Sequence, residues 1–201
     1  MVERQLRRRG IDDERVLAAM ATVPRELFLP EDQRGRAYRD GAVRIAEGQT
    51  MSQPWIVACM AQLLELDGSE TVLDVGTGSG YHAALLARLA RHVYSIEVHN
   101  SLSERAAENL RAAGVDNVTL VVGDGSRGLP EAAPYQAINV AAAAGGEIPQ
   151  ALFDQLAVGG RLVAPVEDGD QRLVVARRSD TGVRLTELER VRFVPLVTSR
   201  G

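Results

Sequence analysis

The sequence predicts a doubly wound α/β fold on a mostly parallel sheet, with helices at its N-terminus and antiparallel strands at its C-terminal edge. Three observations carry this. From residue 71 onward, short apolar runs alternate with amphipathic helical segments. The first of those runs, "TVLDV", is almost continuously apolar, as a strand buried on both faces must be. A glycine-rich turn joins it to the helix that follows, as in open parallel sheets that bind a ligand at the strand ends.

Taken in order, the N-terminal segment is expected to be mainly helical. Asp12 or Asp13 can cap a helix over "ERVLAAMATV", where Val16, Leu17, Met20 and Val23 recur at helical spacing and Pro24 ends the run. A second apolar helix covers 55–66 and stops at the turn "DGSE". The first strand is "TVLDV" (71–75), followed by the glycine loop and a helix over "YHAALLARLA". "HVYSIEV" (92–98) is the second strand, and "SLSERAAENLRAAG" is an amphipathic helix ending at Gly114. "VTLVVGD" (118–124) and "YQAINVA" (135–141) are the third and fourth strands. "PQALFDQLAVGG" reads as a helix stopped by its glycines, and "RLVAPV" (161–166) as a fifth strand. "QRLVVARR" and "RLTELERVRFVPLV" complete an antiparallel edge. Residues 1–201 are thus expected to form one domain: a helical and substrate-loop segment (1–54), an α/β core (55–166) and the edge strands (167–201).

Composition narrows the function. With 201 residues, 45% apolar and 25% charged, the chain suits one globular domain with a sizeable core. A single cysteine, Cys59, excludes an internal disulfide and a multi-cysteine metal site; it reads as a small core residue. Three scattered histidines add no metal-binding spacing, so no metal is expected. The formal charge of −4 gives no support to a nucleic-acid partner. All 23 basic residues are arginine, which excludes Schiff-base chemistry on lysine and a phosphate-loop lysine. The run "RQLRRRG" reads as a solvated helix face, because "IDDER" follows at once. No apolar run approaches the roughly eighteen residues of a membrane span, and "MVERQLRRRG" lacks the apolar core of a signal peptide. A cytoplasmic monomer without membrane partners is the expectation.

In such a sheet the ligand lies beyond the carboxyl ends of the strands, so the loops after the first four strands should form the site. "LDVGTGSGY" places Asp74, Gly76, Gly78 and Gly80 in the first of them, where small residues let backbone N–H groups approach a ligand. A dinucleotide fingerprint would want glycine at position 81, where Tyr81 stands. Asp74 would repel a pyrophosphate and attract an amino group. Glu97, about twenty residues on, stands where a carboxylate accepts hydrogen bonds from ribose hydroxyls. Asp124, at the end of the third strand, can receive an adenine amino group. These groups suit a nucleoside joined to an amino acid. The pattern is that of S-adenosylmethionine-dependent methyltransferases, whose first motif "LDVGTGSG" resembles closely. The expected donor contacts are Asp74, Gly76, Thr77, Gly78, Gly80, Glu97, Val98, Asp124 and Gly125. His82 is expected to flank this site rather than act as a base.

The fourth-strand loop, "NVAAAAGGEIP", offers no general base. A carboxylate acceptor needs none, since with a pKa of about 4 it is already ionised at neutral pH. It needs donors to orient it. "GQTMSQP" supplies the hydroxyls of Thr50 and Ser52, the amides of Gln49 and Gln53, and backbone N–H groups entering a helix. Ser52 also stands where it could cap that helix, whose first turn holds Pro54.

Along nearly its whole length the chain resembles the protein-L-isoaspartate O-methyltransferases. The stretches that carry this are "VPRELFLPE" (23–31), "GQTMSQPWIVA" (48–58), "VLDVGTGSGYHAA" (72–84), "VVGDGSRGLPEAAPY" (121–135), "EIPQALFDQLAVGGRLVAPV" (147–166) and "VRFVPLV" (191–197). The resemblance implies a Rossmann-like methyltransferase fold, S-adenosylmethionine as methyl donor (leaving S-adenosylhomocysteine), and isoaspartyl peptides and proteins as substrates. The free α-carboxylate would be methylated, and the ester would then collapse to succinimide. Ser52 matches the family's active-site serine, with Thr50 shaping the same pocket, and Gln49 is expected beside them on the substrate side. Val194 and Pro195 would border the peptide groove, where the backbone could pair with an extended substrate.

The chain departs from the family pattern at Gln136, where an acidic residue is usual, and at Arg44 and Ala46, which replace proline and glycine. Its Ala/Gly loop 141–147 is longer and reads as more flexible, and Met51 stands where isoleucine is common. Gln136, the loop 141–147, and Arg44 with Ala46 are expected to border the substrate site. Two other readings remain on sequence grounds: a carboxyl methyltransferase dedicated to an aspartate of one modified peptide, and a non-catalytic module that binds donor or peptide.

Overall fold

The computed structural model describes residues 1–197. Asp13 caps the first helix, α1 (Glu14–Thr22), its carboxylate accepting from the N–H groups of Arg15 and Val16. Short helical turns at Val2–Leu6, Arg25–Phe28 and Glu31–Arg36 fill much of the N-terminal segment. Arg7 pairs with Glu3 at 2.9 Å and Glu14 at 2.5 Å, as expected of a solvated face. Two short strands, β1 (Val43–Arg44) and β2 (Thr50–Met51), then pair antiparallel. This hairpin was not foreseen, because two-residue strands carry no periodicity. Helix α2 runs Pro54–Leu63, with proline in its first turn, where its missing N–H costs nothing.

The core repeats strand and helix: β3 (Thr71–Val75), α3 (Tyr81–Ala87), β4 (His92–Glu97), α4 (Asn100–Ala112), β5 (Val118–Val122) and β6 (Tyr135–Val140). A two-residue strand, β7 (Ala144–Gly145), and a short helix, α5 (Gln150–Asp154), precede β8 (Leu156–Asp168), β9 (Asp170–Ser179) and β10 (Gly182–Arg190). The main sheet has the order β10-β9-β8-β6-β3-β4-β5, with β7 beside β8. β3 to β6 and β8 run parallel, and β9 and β10 run antiparallel. The order reverses between β3 and its neighbours β4 and β6, which opens the ligand crevice at their carboxyl ends.

Strand alternation puts Val72, Val93, Ala137 and Val163 on one face with α1, α2 and α3. Leu73, Val75, Ile138 and Leu162 face the other way, toward α5. Full burial on both sides explains why β3 reads as a nearly unbroken apolar run. Among the described residues no helix is long and apolar enough to cross a membrane, and no three His, Cys, Asp or Glu residues could hold a metal.

Three expectations are corrected. The helix expected through Gly160 ends at Asp154, and Leu156 already belongs to β8. Leu156 is buried opposite Tyr135, and the register then shifts so that Arg161 meets Ala137, with 157–160 bulging between. Pairing with β6 overrides the helical pattern there. The strand expected over 184–197 ends at Arg190; beyond it the chain turns to the crevice, where Pro195 bridges Ala143. That bridge also answers the expectation of a flexible Ala/Gly loop. Ala143 N–H donates to Val194 at 2.8 Å, Leu196 N–H donates to Ala143 at 2.7 Å, and Gly146 N–H donates to Glu167 at 2.8 Å. The loop is pinned at both ends.

Candidate active site

The glycine loop is shaped by backbone angles that only glycine adopts freely. Gly76 and Gly78 have φ of +93° and +54°. Gly76 N–H donates to the carbonyl of Ile96 at 2.9 Å, and Gly78 N–H donates to Glu97 Oε2 at 2.8 Å. Glu97 Oε1 accepts from the N–H of His99 at 3.0 Å. One buried carboxylate at the end of β4 thus ties the loop to the next strand. Gly125 has a different reason to be glycine: an added Cβ would lie 2.4 Å from Val75 Cγ1. Gln49, Thr50, Gly76, Gly78, Glu97, Val98, Gly125, Val194 and Pro195 line one crevice at the strand ends. Of the expected donor contacts, Asp74, Thr77, Gly80 and Asp124 stand behind or beside this lining. Gly80 begins α3 and abuts Ala106 of α4, its would-be Cβ 3.2 Å from that methyl. Asp124 Oδ1 accepts from the Ser126 N–H at 2.9 Å and its hydroxyl at 2.6 Å, shaping the turn after β5.

Asp74 belongs to a polar row set by strand register. It pairs with Ser95 on one side and Asn139 on the other, so all three project from the same face. Ser95 Oγ and Asn139 Nδ2 each donate to the carboxylate at 2.7 Å, and Thr77 Oγ1 continues the row to Ser95 at 2.7 Å. Asp74 is fully buried. Burial pushes its pKa up to about 6, against the lowering effect of the Asn139 and Ser95 hydrogen bonds, and the Glu97 charge adds to the rise. At pH 7 the group is still mostly ionised, a buried negative charge beneath the loop.

His82 packs above this row, its Nδ1 3.3 Å from Asn139 Nδ2. Burial drives its pKa down to about 3, with the Arg25 charge acting the same way. It stays neutral and is too weak a base to take a proton. It lines the small space between Ser52 and the glycine loop.

On the other side of that space, Thr50 sits in β2 and Ser52 precedes α2. The residue at the start of α2 is Gln53, and no side chain caps it, so Ser52 does not act as a helix cap. Gln53 Nε2 donates to Asp40 at 2.5 Å, and Gln49 Nε2 donates to the Glu47 carbonyl at 3.3 Å. The Ser52 backbone is held from below by Arg25, a residue whose role the sequence did not reveal. Arg25 is fully buried; Nη2 donates to the Ser52 carbonyl at 3.0 Å and Nε to the Ala37 carbonyl at 2.8 Å. Its guanidinium carbon lies 4.3 Å from the centroid of the Tyr81 ring. Ser52 opens into a second cavity of about 680 Å³, bordered by Thr50, Trp55, Ala141, Phe193 and Val194. Thr50, Ala141 and Val194 line both cavities.

One departure lies elsewhere than expected. Gln136 stands at the amino end of β6, where its side-chain oxygen accepts from the Thr71 N–H at 2.8 Å, at the far end of the sheet from the crevice. Arg44 is exposed on β1 and pairs with Thr50, which lines both cavities. Cys59 is a buried thiol of the core beside Glu189, its pKa raised to about 12 by burial first and by that carboxylate second.

The family model described as protein-L-isoaspartate(D-aspartate) O-methyltransferase matches residues 1–201. A protein-L-isoaspartate O-methyltransferase of Methanoculleus marisnigri is 52% identical over 202 residues, covering 100% of this chain and 91% of that protein. A solved protein-L-isoaspartate O-methyltransferase is 30% identical with a TM-score of 0.85 over 97% of this chain, which spans 65% of the solved one. A Plasmodium falciparum structure described as the same type of enzyme, in complex with S-adenosyl-L-homocysteine, is 28% identical with a TM-score of 0.84, covering 98% of this chain and 96% of its own.

Proposed function

The chain belongs to the protein-L-isoaspartate(D-aspartate) O-methyltransferase family, and from that membership we propose the reaction and the residues that perform it. The enzyme transfers a methyl group from S-adenosylmethionine to the free α-carboxylate of L-isoaspartyl residues in damaged proteins or peptides; the ester then closes to succinimide, which begins repair. The observation that carries this reading is the meeting of two cavities at Thr50, Ala141 and Val194, with the glycine loop on one side and Ser52 on the other.

The residues present fit the donor. A carboxylate ends β4, backbone N–H groups and small residues line the loop, and a buried negative charge lies beneath it. Glu97 would accept from the ribose hydroxyls, Gly76, Gly78, Val98 and Gly125 would shape the nucleoside slot, and Asp124 would receive the adenine amino group. Asp74, with Thr77 completing its hydrogen-bonded row, would favour the positively charged amino-acid end, and Gly80 would keep α3 close behind the loop. When bound, S-adenosylmethionine supplies an electrophilic methyl group. The chain does the rest by positioning and by excluding water. The acceptor carboxylate arrives ionised, so no base is needed, and neutral His82 provides none. The Ser52 hydroxyl would donate to one carboxylate oxygen and hold the other in line. Thr50 and Gln49 would close the pocket around it, and Val194 and Pro195 would border the peptide. We further propose a cytoplasmic monomer without membrane or nucleic-acid partners; the formal charge of −4 speaks against the last of these.

Labelled methyl transfer to two matched peptides, one with L-isoaspartate and one with aspartate, tests the reaction. Incorporation into the isoaspartyl peptide alone is expected; equal incorporation into both would overturn the reading. Glu97→Ala is expected to weaken donor binding by about tenfold to a hundredfold, the range for losing hydrogen bonds to a charged group. Turnover at saturating donor should change far less. Calorimetric titration with S-adenosylhomocysteine checks this, and an unchanged Kd would remove Glu97 from the donor site.

A further inference from the structure

The cavity beyond Ser52 carries charge of one sign. Arg9, Arg190 and Arg192 line it, and among the described residues no aspartate or glutamate does. This stands out in a chain with a formal charge of −4. The three arginines differ in how firmly they are engaged. Arg9 lies over the Trp55 ring, 4.4 Å from its centroid, and pairs with Asp40 at 3.3 Å. Arg190 pairs with Asp170 at 2.8 Å on an exposed surface. Arg192 is exposed and forms no ion pair among the described residues. The nearby carboxylate of Glu189 approaches the Cys59 thiol on α2 at 3.5 Å.

On the repair reading given above, this cavity is where the residues flanking the isoaspartate must lie. We propose that it selects isoaspartyl peptides with an acidic side chain close to the damaged residue, and that Arg192 is the main determinant of that preference. A guanidinium presents a rigid fork of donors that matches a carboxylate. Arg192 is free to turn that fork toward a substrate, while Arg9 and Arg190 add positive potential from both sides. The same field speeds the approach of an acidic peptide and opposes a basic one. Because the rim is open to water, the selection is moderate and weakens with salt. Trp55, with Arg9 over its ring, closes that side of the cavity.

Three isoaspartyl peptides test this, identical except for Glu, Ala or Lys beside the isoaspartate, with the change placed on each side in turn. For at least one side the Glu peptide is expected to exceed the Lys peptide about tenfold in kcat/KM at low ionic strength, from a few exposed pairs acting together. In about 0.5 M salt the ratio should fall toward one. Arg192→Glu should reverse the order of the Glu and Lys peptides, and Arg192→Lys should keep it. The comparison is a ratio within one enzyme, so a variant that folds poorly lowers all three rates and leaves the readout intact. Equal kcat/KM for the three peptides, or a preference that Arg192→Glu leaves in place, would overturn the proposal while the repair reading stands. Transfer to none of them, the neutral peptide included, would overturn both.

Discussion

Replacing Ser52 by alanine is expected to lower turnover about a hundredfold, the scale associated with losing one donor aimed at the reacting group or misplacing it by about 1 Å. Donor affinity should stay within about twofold. The two effects separate because Ser52 lines the outer cavity and the small space facing the glycine loop, yet stands outside the lining of the donor crevice. A helix cap would have predicted something else: loss of a cap costs about 1 kcal/mol of stability with no special effect on turnover. The start of α2 carries no side-chain cap, so the stability of Ser52→Ala should match the parent. Single-turnover rates with donor bound in advance, beside donor titration and a melting curve, separate the cases. Weakened donor binding with unchanged single-turnover rate would remove Ser52 from the acceptor side.

Arg25→Met should cost about 3 kcal/mol of stability, roughly 6–12 °C in Tm for a chain of this size, and should also slow methyl transfer. Two effects compete. Removing a buried cation without a carboxylate partner relieves a desolvation cost, and such replacements are sometimes stabilising. Against it, the carbonyls of Ala37 and Ser52 lose their donors in a site where water cannot easily replace them, and the Tyr81 ring loses the cation on its face. Orphaned acceptors cost about 1–3 kcal/mol each, so destabilisation should win. Arg25→Lys can restore one bond but not the fork, and should recover only part of both losses. A variant that melts with the parent and turns over normally would show that the Ser52 loop does not depend on Arg25.

Both predictions rest on features that were unequally visible in the sequence. The β3–loop–α3 unit was plain, because an apolar run and three glycines at positive φ are local signals. The cap of α1 was plain to within one residue, Asp12 or Asp13, for the same reason: a cap bonds two and three residues ahead, and Asp13 does so. The end of α5 was not, because Leu156 is claimed by Tyr135, a partner distant in sequence. Arg25 was invisible because what it holds are backbone carbonyls 12 and 27 residues away, and carbonyls have no side-chain signature. Asn139 could have been found, as a polar residue within a strand otherwise buried and apolar except for its edge glutamine. The Ala/Gly loop misled because glycine content speaks for freedom, whereas Pro195 and its neighbours remove that freedom from outside. Gln136 misled in another way: it borders a strand of the site, but as the second residue of that strand it stands at the amino end, away from the crevice at the carboxyl ends.

The bridge between Ala143 and Pro195 also imposes an order in time. A ribosome makes β3, the glycine loop and β4 well before residues 194–197, and domains begin to fold as they emerge. A nascent chain can therefore hold a finished donor loop while the wall shared by both cavities is still missing. Methyl transfer should switch on only once that last segment has left the exit tunnel and settled against Ala143. Until then the wall between the two cavities is incomplete.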